Sequence, residues 1–445
     1  MKQFLLGACL SLLTMPVLAA LKIEHWQQDS GASVWLASSM NIPMVDVHVE
    51  FDAGSRFEPA DKTGLVDLLA QVAPKGVDAW GDQAAMDAAT LGEAWADLGA
   101  EFLLSSGNDT LSFDLRSLTY EDILPQSISL AALQLAAPSF DKAVFQRERE
   151  RSIAFIGEAE TQPSYVADKR FRAAVFSDHP YGRTSSADSL NAITLKDLQQ
   201  FYQQHVKACK ARVIMVGALN RKQADKLVKT LLSGIVAKDA AECVKQAEPA
   251  DPQPLESAET LRIPFDTTQS HISIGQLGIK RSDPDFLVML VGNHILGGGG
   301  FVSRLTENVR EKRGLSYSVY SYFAPRQNVG EFVVGLQTKN DQAEEANSVA
   351  MEVLRKFVEE GPTEDELQAA KDNLIGGFAL RIDSNRKLLD NIANIARNDL
   401  PLDYLETWTD KVDKITVDDI RRAFKDKIHP DKMVNLILGG KSQTP

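Results

Sequence analysis

Two stretches of this chain, residues 193–217 (ITLKDLQQFYQQHVKACKARVIMVG) and residues 415–439 (ITVDDIRRAFKDKIHPDKMVNLILG), align without a gap at a constant offset of 222 positions. Thr194 and Thr416 stand as helix N-caps, each with an aspartate (Asp197, Asp419) three residues on, a reciprocal pairing that satisfies two amide donors of a first helical turn. Leu198 and Ile420 follow on an apolar face, and both stretches run through a helix into an apolar strand that ends in glycine. A helix–strand unit repeated at this distance implies two tandem copies of one fold. Length alone would allow about three domains of roughly 150 residues; the repeat argues for two larger ones.

Between the copies, residues 237–259 (AKDAAECVKQAEPADPQPLESAE) are rich in Ala, Pro, Asp and Glu without an apolar period, as an exposed linker should be. Residues 21–236 and 260–445 are therefore expected to form two homologous domains. In the first, Val34, Leu36, Val45, Val47 and Val49 alternate with polar residues as strands do, and residues 64–72 read as an apolar helix with Asp67, Ala70 and Gln71 on one face. Helical runs over 82–98, 120–135 and 141–160, with an alternating segment at 110–115, complete an α+β order in which each domain is a mainly antiparallel sheet packed with helices.

Residues 1–20 have a charged start at Lys2, an apolar FLLGACLSLL core and small residues at Ala19 and Ala20, the pattern of a secretory signal cleaved near either alanine. Removing it takes the formal net charge from −13 to −14, a surface that disfavours nucleic acid and anionic membrane. No later segment approaches the roughly 20 uncharged apolar residues of a membrane span, so the expected destination is the periplasm. Cys209 and Cys243, 34 positions apart, can pair there or remain two buried thiols; spacing does not choose.

The chemistry-bearing stretch runs from Gly297 to Phe323, GGGGFVSRLTENVREKRGLSYSVYSYF. Gly297, Gly298, Gly299 and Gly300 predict a loop that offers its backbone to a ligand. Val302, Leu305 and Val309 then predict a helix, Gly314 its end, and the alternation from Leu315 a strand. Arg310 and Tyr317 can both point back toward the glycine loop, a cation and a phenol beside free amides that would make an oxyanion site, although spacing alone favours a solvated helix-end charge and a strand aromatic. No Gly-Lys-Ser or Gly-Lys-Thr follows the glycines, so nucleotide binding is disfavoured. No two of the seven histidines lie closer than 23 positions, no zinc-helix spacing is present, and no Gly-x-Ser-x-Gly elbow occurs.

Several motifs together carry a resemblance. Ala53-Gly54-Ser55-Arg56-x-Glu58, Gly64-Leu65, His179-Pro180-Tyr181-Gly182-Arg183, the run from Leu296 through the four glycines to Leu305, and Arg310-Glu-Lys-Arg-Gly-Leu-Ser-Tyr317 resemble the pitrilysin or insulinase-type (inverzincin) metallopeptidases, in the short two-domain form shared with mitochondrial processing peptidase. In that family the first helix carries H-x-x-E-H, two zinc ligands and a general base; here the positions hold Asp67, Ala70 and Gln71. The third ligand falls near Phe155, with Glu158 close by. The family's arginine and tyrosine, which flank the substrate carbonyl, match Arg310 and Tyr317. The resemblance thus implies a chain with no zinc and no peptidase activity of its own, which lends its glycine-rich surface and Arg/Tyr pair to a zinc-bearing homologous partner acting on peptides. The alternative is a scaffold or peptide-binding protein with no part in proteolysis.

Overall fold

The computed structural model describes residues 22–440, so the expected export signal lies outside the described residues. The first half runs β1 (Ile23–Gln27), β2 (Ser33–Ser38), β3 (Met44–Phe51), α1 (Leu65–Val72), α2 (Ala88–Asp97), β4 (Glu101–Ser106), β5 (Leu111–Leu118), α3 (Leu124–Ala136), α4 (Lys142–Ala159), α5 (Pro163–Phe176), α6 (Ala187–Ala192), α7 (Leu195–His205), β6 (Arg212–Gly217) and α8 (Arg221–Leu231). The second runs β7 (Glu259–Ile263), β8 (Gln269–Leu277), α9 (Phe286–Asn293), β9 (Val319–Ala324), β10 (Glu331–Lys339), α10 (Ala343–Glu360), α11 (Glu364–Gly376), α12 (Asn385–Arg397), α13 (Tyr404–Asp413), α14 (Val417–Lys427) and β11 (Val434–Leu438). The fold is mixed α and β, with two antiparallel-rich sheets packed with helices.

The sheets are ordered β1-β2-β6-β3-β5-β4 and β7-β11-β8-β10-β9. β6 pairs parallel with β2 and antiparallel with β3, and β11 does the same between β7 and β8. The repeated unit accounts for this match. Thr194 and Thr416 cap α7 and α14 through capping boxes with Asp197 and Asp419, and the closing Gly217 and Gly439 have φ of 145° and 150°, a backbone that favours glycine.

Side-chain alternation along β6 decides what covers each face of its sheet. Val213 and Met215 face α3, α7 and α8 of their own half, while Ile214 and Val216, with Trp35 and Ala37, pack against Leu388, Leu389 and Ile392 of α12 from the second half. The second sheet receives the converse, because Val434, Leu436 and Leu438 of β11 pack against Phe171 and Val175 of α5 from the first half. Each sheet is thus buried on two faces, which is why residues 213–217 (VIMVG) and, apart from Asn435, 434–438 (VNLIL) read as apolar runs.

A charged cluster lies at the same seam. Glu50 on β3, wholly buried, accepts from Arg212 at 2.6 Å and from Nε of Arg397 on α12 at 3.1 Å, with His48 Nε2 3.3 Å away. His48 Nδ1 lies 2.9 Å from Asp114, which also pairs with Arg386 of α12 at 3.2 Å. Burial opposes the charge on His48, but Asp114 and Glu50 outweigh it and raise its pKa from 6.5 to about 9. Since the folded value lies above the unfolded one, this stabilisation is complete below pH 6.5 and fades as pH rises to about 9. Denaturant unfolding is expected to lose about 3 kcal/mol over that window, and His48→Gln to flatten the loss. A wild-type profile without it would refute the assignment.

The expected helix over 82–98 is formed only over Ala88–Asp97, because bridges of Val77 with Met86 and of Trp80 with Gln83 hold the preceding chain extended. The helix expected from 120 begins at Leu124. Cys209 and Cys243 are joined in a disulfide, with Cα atoms 5.7 Å apart.

Candidate functional site

α1 opens at Gly64 (φ 99°), which has no side chain to cap it. Glu58 supplies the cap instead, its carboxylate accepting the amides of Gly64 at 2.9 Å and Val66 at 2.7 Å. Burial pushes this carboxyl up to about 7 against the pull of the two amides. Leu65, Val66, Leu68, Leu69 and Val72 bury one face of α1, and Asp67, Ala70 and Gln71 line a recess of ≈ 890 Å³ on the other.

Hydrogen bonds tie this face to its surroundings. Asp67 accepts from Ser106 Oγ on β4 at 2.7 Å, and Gln71 Oε1 accepts from Ser152 Oγ on α4 at 3.1 Å. Phe155, one turn beyond Ser152, lines the same recess and is 65 % exposed, whereas Glu158 is not among the lining residues. A zinc ion needs deprotonated or imidazole donors converging on one point. A carboxylate, an amide already bonded and a phenyl ring do not fit it. Among the described residues no group of three His, Cys, Asp or Glu is placed to hold a metal ion. Dialysed protein is expected to retain no stoichiometric zinc and to cleave no peptide alone; one tightly held ion per chain, with chelator-sensitive hydrolysis, would overturn this.

The glycine run is built differently from a free loop. α9 continues as a π-helical turn over His294–Gly298, followed by a 3₁₀ turn over Gly300–Val302. Gly297 has no Cβ, and one placed there would meet Ser321 N at 2.5 Å and Ser321 Oγ at 2.4 Å. The glycine is therefore what lets this turn lie on β9, where Asn293 Nδ2 also donates to Ser321 O at 3.1 Å. The Gly299 amide donates to His294 O at 2.8 Å, so this glycine turns away from the recess that Gly297, Gly298 and Gly300 line.

The expected helix after the glycines is a π-helical stretch, Thr306–Glu311, ended at Gly314 (φ 62°) by bonds from the Gly314 amide to Arg310 O and from Leu315 to Val309 O. The strand expected from Leu315 starts at Val319, because the Ser316 hydroxyl bonds Ser318 O and Gln337 O and holds the intervening chain irregular. Tyr317 therefore lies before the strand, 84 % exposed, and does not share the buried face of Leu315 and Val319. The Arg310 guanidinium lies 4.6 Å from the Tyr317 centroid and 4.7 Å from that of Phe301, and its Nε is 3.3 Å from a Glu311 carboxylate oxygen. With the glycines they line a recess of ≈ 410 Å³. Its walls come from residues 297–322, and those of the first recess from residues 55–190.

The two sites are topological counterparts. α1 lies between β3 and β4, and α9 with its π turn between β8 and β9; in each copy the helix leans on the strand that ends the sheet, at Ser106 and at Ser321. Phe301 is not marked by pattern or spacing; its only sign in the sequence is a large aromatic placed directly after four glycines. Glu58 belongs to the motif at residues 53–58 that carries the resemblance, but nothing in its spacing marks it as the cap of α1.

The tandem two-sheet fold places Asp67, Ala70 and Gln71 on one edge helix and the glycines after its counterpart. The model of the peptidase M16 inactive domain matches residues 192–374, and the chain resembles a degenerate member of that family. It is similar to the solved peptidase M16 inactive domain of Pseudomonas fluorescens, at 29 % identity and a TM-score of 0.88 over 96 % of this chain and 100 % of that one. It is 25 % identical to the non-peptidase homolog YmxG of Helicobacter pylori, over 100 % of both chains. The periplasmic protease PqqL of Escherichia coli shares the fold, with a TM-score of 0.74 at 15 % identity over 94 % of this chain and 47 % of that one.

Proposed function

We propose that this chain is the non-catalytic subunit of a heterodimeric zinc metallopeptidase of the periplasm, and that it supplies the glycine turn and the Arg310/Tyr317 pair to a zinc-bearing homologue. The observation that carries the reading is the stacking of Arg310 on Tyr317 at 4.6 Å beside Gly297, Gly298 and Gly300, in a chain whose counterpart helix has Asp67, Ala70 and Gln71 in place of zinc ligands and base. A scaffold has no evident use for an oxyanion pair. The Cys209–Cys243 disulfide supports an oxidising compartment, and among the described residues no helix is long and apolar enough to cross a membrane. The substrate is an extended peptide, added as a strand to a sheet edge such as β4.

Co-expression with a zinc-bearing M16 homologue of the same cell is the test. One joint peak in size-exclusion chromatography, with peptide turnover requiring both chains, is expected. Two separate peaks with full activity in the partner alone would favour the scaffold or peptide-binding alternative.

A further inference from the structure

The segment between the halves is a strap fastened at several points. Cys243 is bonded to Cys209, just after α7, and Lys207 pairs with Glu242 beside them at 2.9 Å. Five residues on, Glu248 meets Arg56, whose side chain is wholly buried, at 2.6 Å. Pro249 O and Asp251 Oδ1 then accept from Asn328 Nδ2 of the second half at 3.0 and 2.9 Å, and Asp251 pairs with Lys280 at 2.6 Å. Arg56 and Asn328 are themselves bonded at 3.3 Å. The strap therefore closes over the point where the halves meet.

We infer that the Cys209–Cys243 disulfide is a redox-operated latch on this strap, and that its reduction loosens the junction of the halves beside the first recess. Residues 244–258 contain no helix or strand to hold them in place, so beyond the contacts of Glu248, Pro249 and Asp251 their residence on the junction rests on the tethers at their ends. A tether raises the effective concentration of Glu248 at Arg56, and without it the same contacts must compete with a free, solvated segment. Both cysteines are half-buried, within reach of a small thiol. An external dithiol attacks one sulfur and the S–S bond breaks; two electrons and two protons pass to Cys209 and Cys243, and the dithiol leaves as its own disulfide.

The effect has a route to the recess. Arg56 keeps longer contacts with Asp52 (3.6 Å) and Asp109 (3.5 Å) but loses its closest carboxylate. Its amide donates to Asn108 O at 3.1 Å, and Ser55 Oγ lies 3.2 Å from Asn108 Oδ1; Ser55 and Asn108 line the recess.

Hydrogen exchange read by mass spectrometry on the full chain tests this, comparing the oxidised protein with protein reduced by dithiothreitol and alkylated with iodoacetamide. Exchange over 54–58, 244–251 and 326–330 is expected to quicken at least tenfold, while β8 and β10 stay protected. The double variant Cys209→Ser with Cys243→Ser should behave as the reduced protein. Glu248→Gln, with the disulfide intact, should reproduce the change over 54–58. Unchanged rates after reduction would overturn the latch, as would a uniform rise through the whole chain. No response to Glu248→Gln would overturn the route through Arg56.

Discussion

Tyr317→Phe and Arg310→Ala are each expected to lower turnover of the assembled complex about a hundred- to thousand-fold, the order seen when one oxyanion donor is removed, or about 2.7–4 kcal/mol. During peptide hydrolysis the carbonyl oxygen becomes an anion, and donors fixed beforehand around it stabilise that state more than the neutral substrate. In the proposed complex Arg310, which lies 4.6 and 4.7 Å from the ring centroids of Tyr317 and Phe301, would be one such donor. Assembly should survive, because Tyr317 is 84 % exposed and its hydroxyl fills no cavity. If instead Arg310 only closes its helix and Tyr317 only packs, the melting temperature would shift and turnover per complex would not. Measuring both on the same preparations decides, and unchanged turnover in a fully assembled variant would remove the role assigned to the pair.

Severing the chain between residues 236 and 237 is expected, under reducing conditions, to leave two pieces that fold together and not apart. Residues 22–236 alone would expose Trp35, Ile214 and Val216, and residues 237–440 alone would expose Val434, Leu436 and Leu438, all buried in the intact chain. Each large apolar side chain returned to water costs about 1.5–3 kcal/mol, and three such terms are comparable to the about 5–15 kcal/mol that holds a typical domain. In the uncut chain, Leu389→Ala or Ile392→Ala on α12 should cost about 2–5 kcal/mol each. A cooperative unfolding transition in residues 22–236 alone would sink the idea.

The caps at Thr194 and Thr416 and the strands after them were legible because capping is local, with donor and acceptor three residues apart. The exchange of α5 and α12 was not, since which element covers the second face of a sheet is a long-range matter. Its trace was present in RVIMVG, where a strand with one wet face would have alternated. Two readings around the site failed for comparable reasons. The glycines read as a loop because their helix propensity is poor, yet the approach of Gly297 to Ser321 needs a residue without Cβ and outweighs it. Leu315-Ser-Tyr-Ser-Val319 alternates like a strand, and no pattern in the sequence reveals a serine hydroxyl that bonds backbone carbonyls on two sides.

The π-helical turn over His294–Gly298 has a consequence for how the glycine run tolerates change. Such a turn accommodates one more residue than an α-helical turn of the same span, so the run acts as a spacer whose length sets the phase of everything after it. Removing one glycine would take up that extra residue and shorten the link from α9 to the 3₁₀ turn at Gly300–Val302. Phe301, Arg310 and Tyr317 all follow the run, so it is their placement against β9 and Ser321, where Gly297 makes its close approach, that such a deletion disturbs. The number of glycines, as much as their identity, therefore sets how the turn seats on the edge strand.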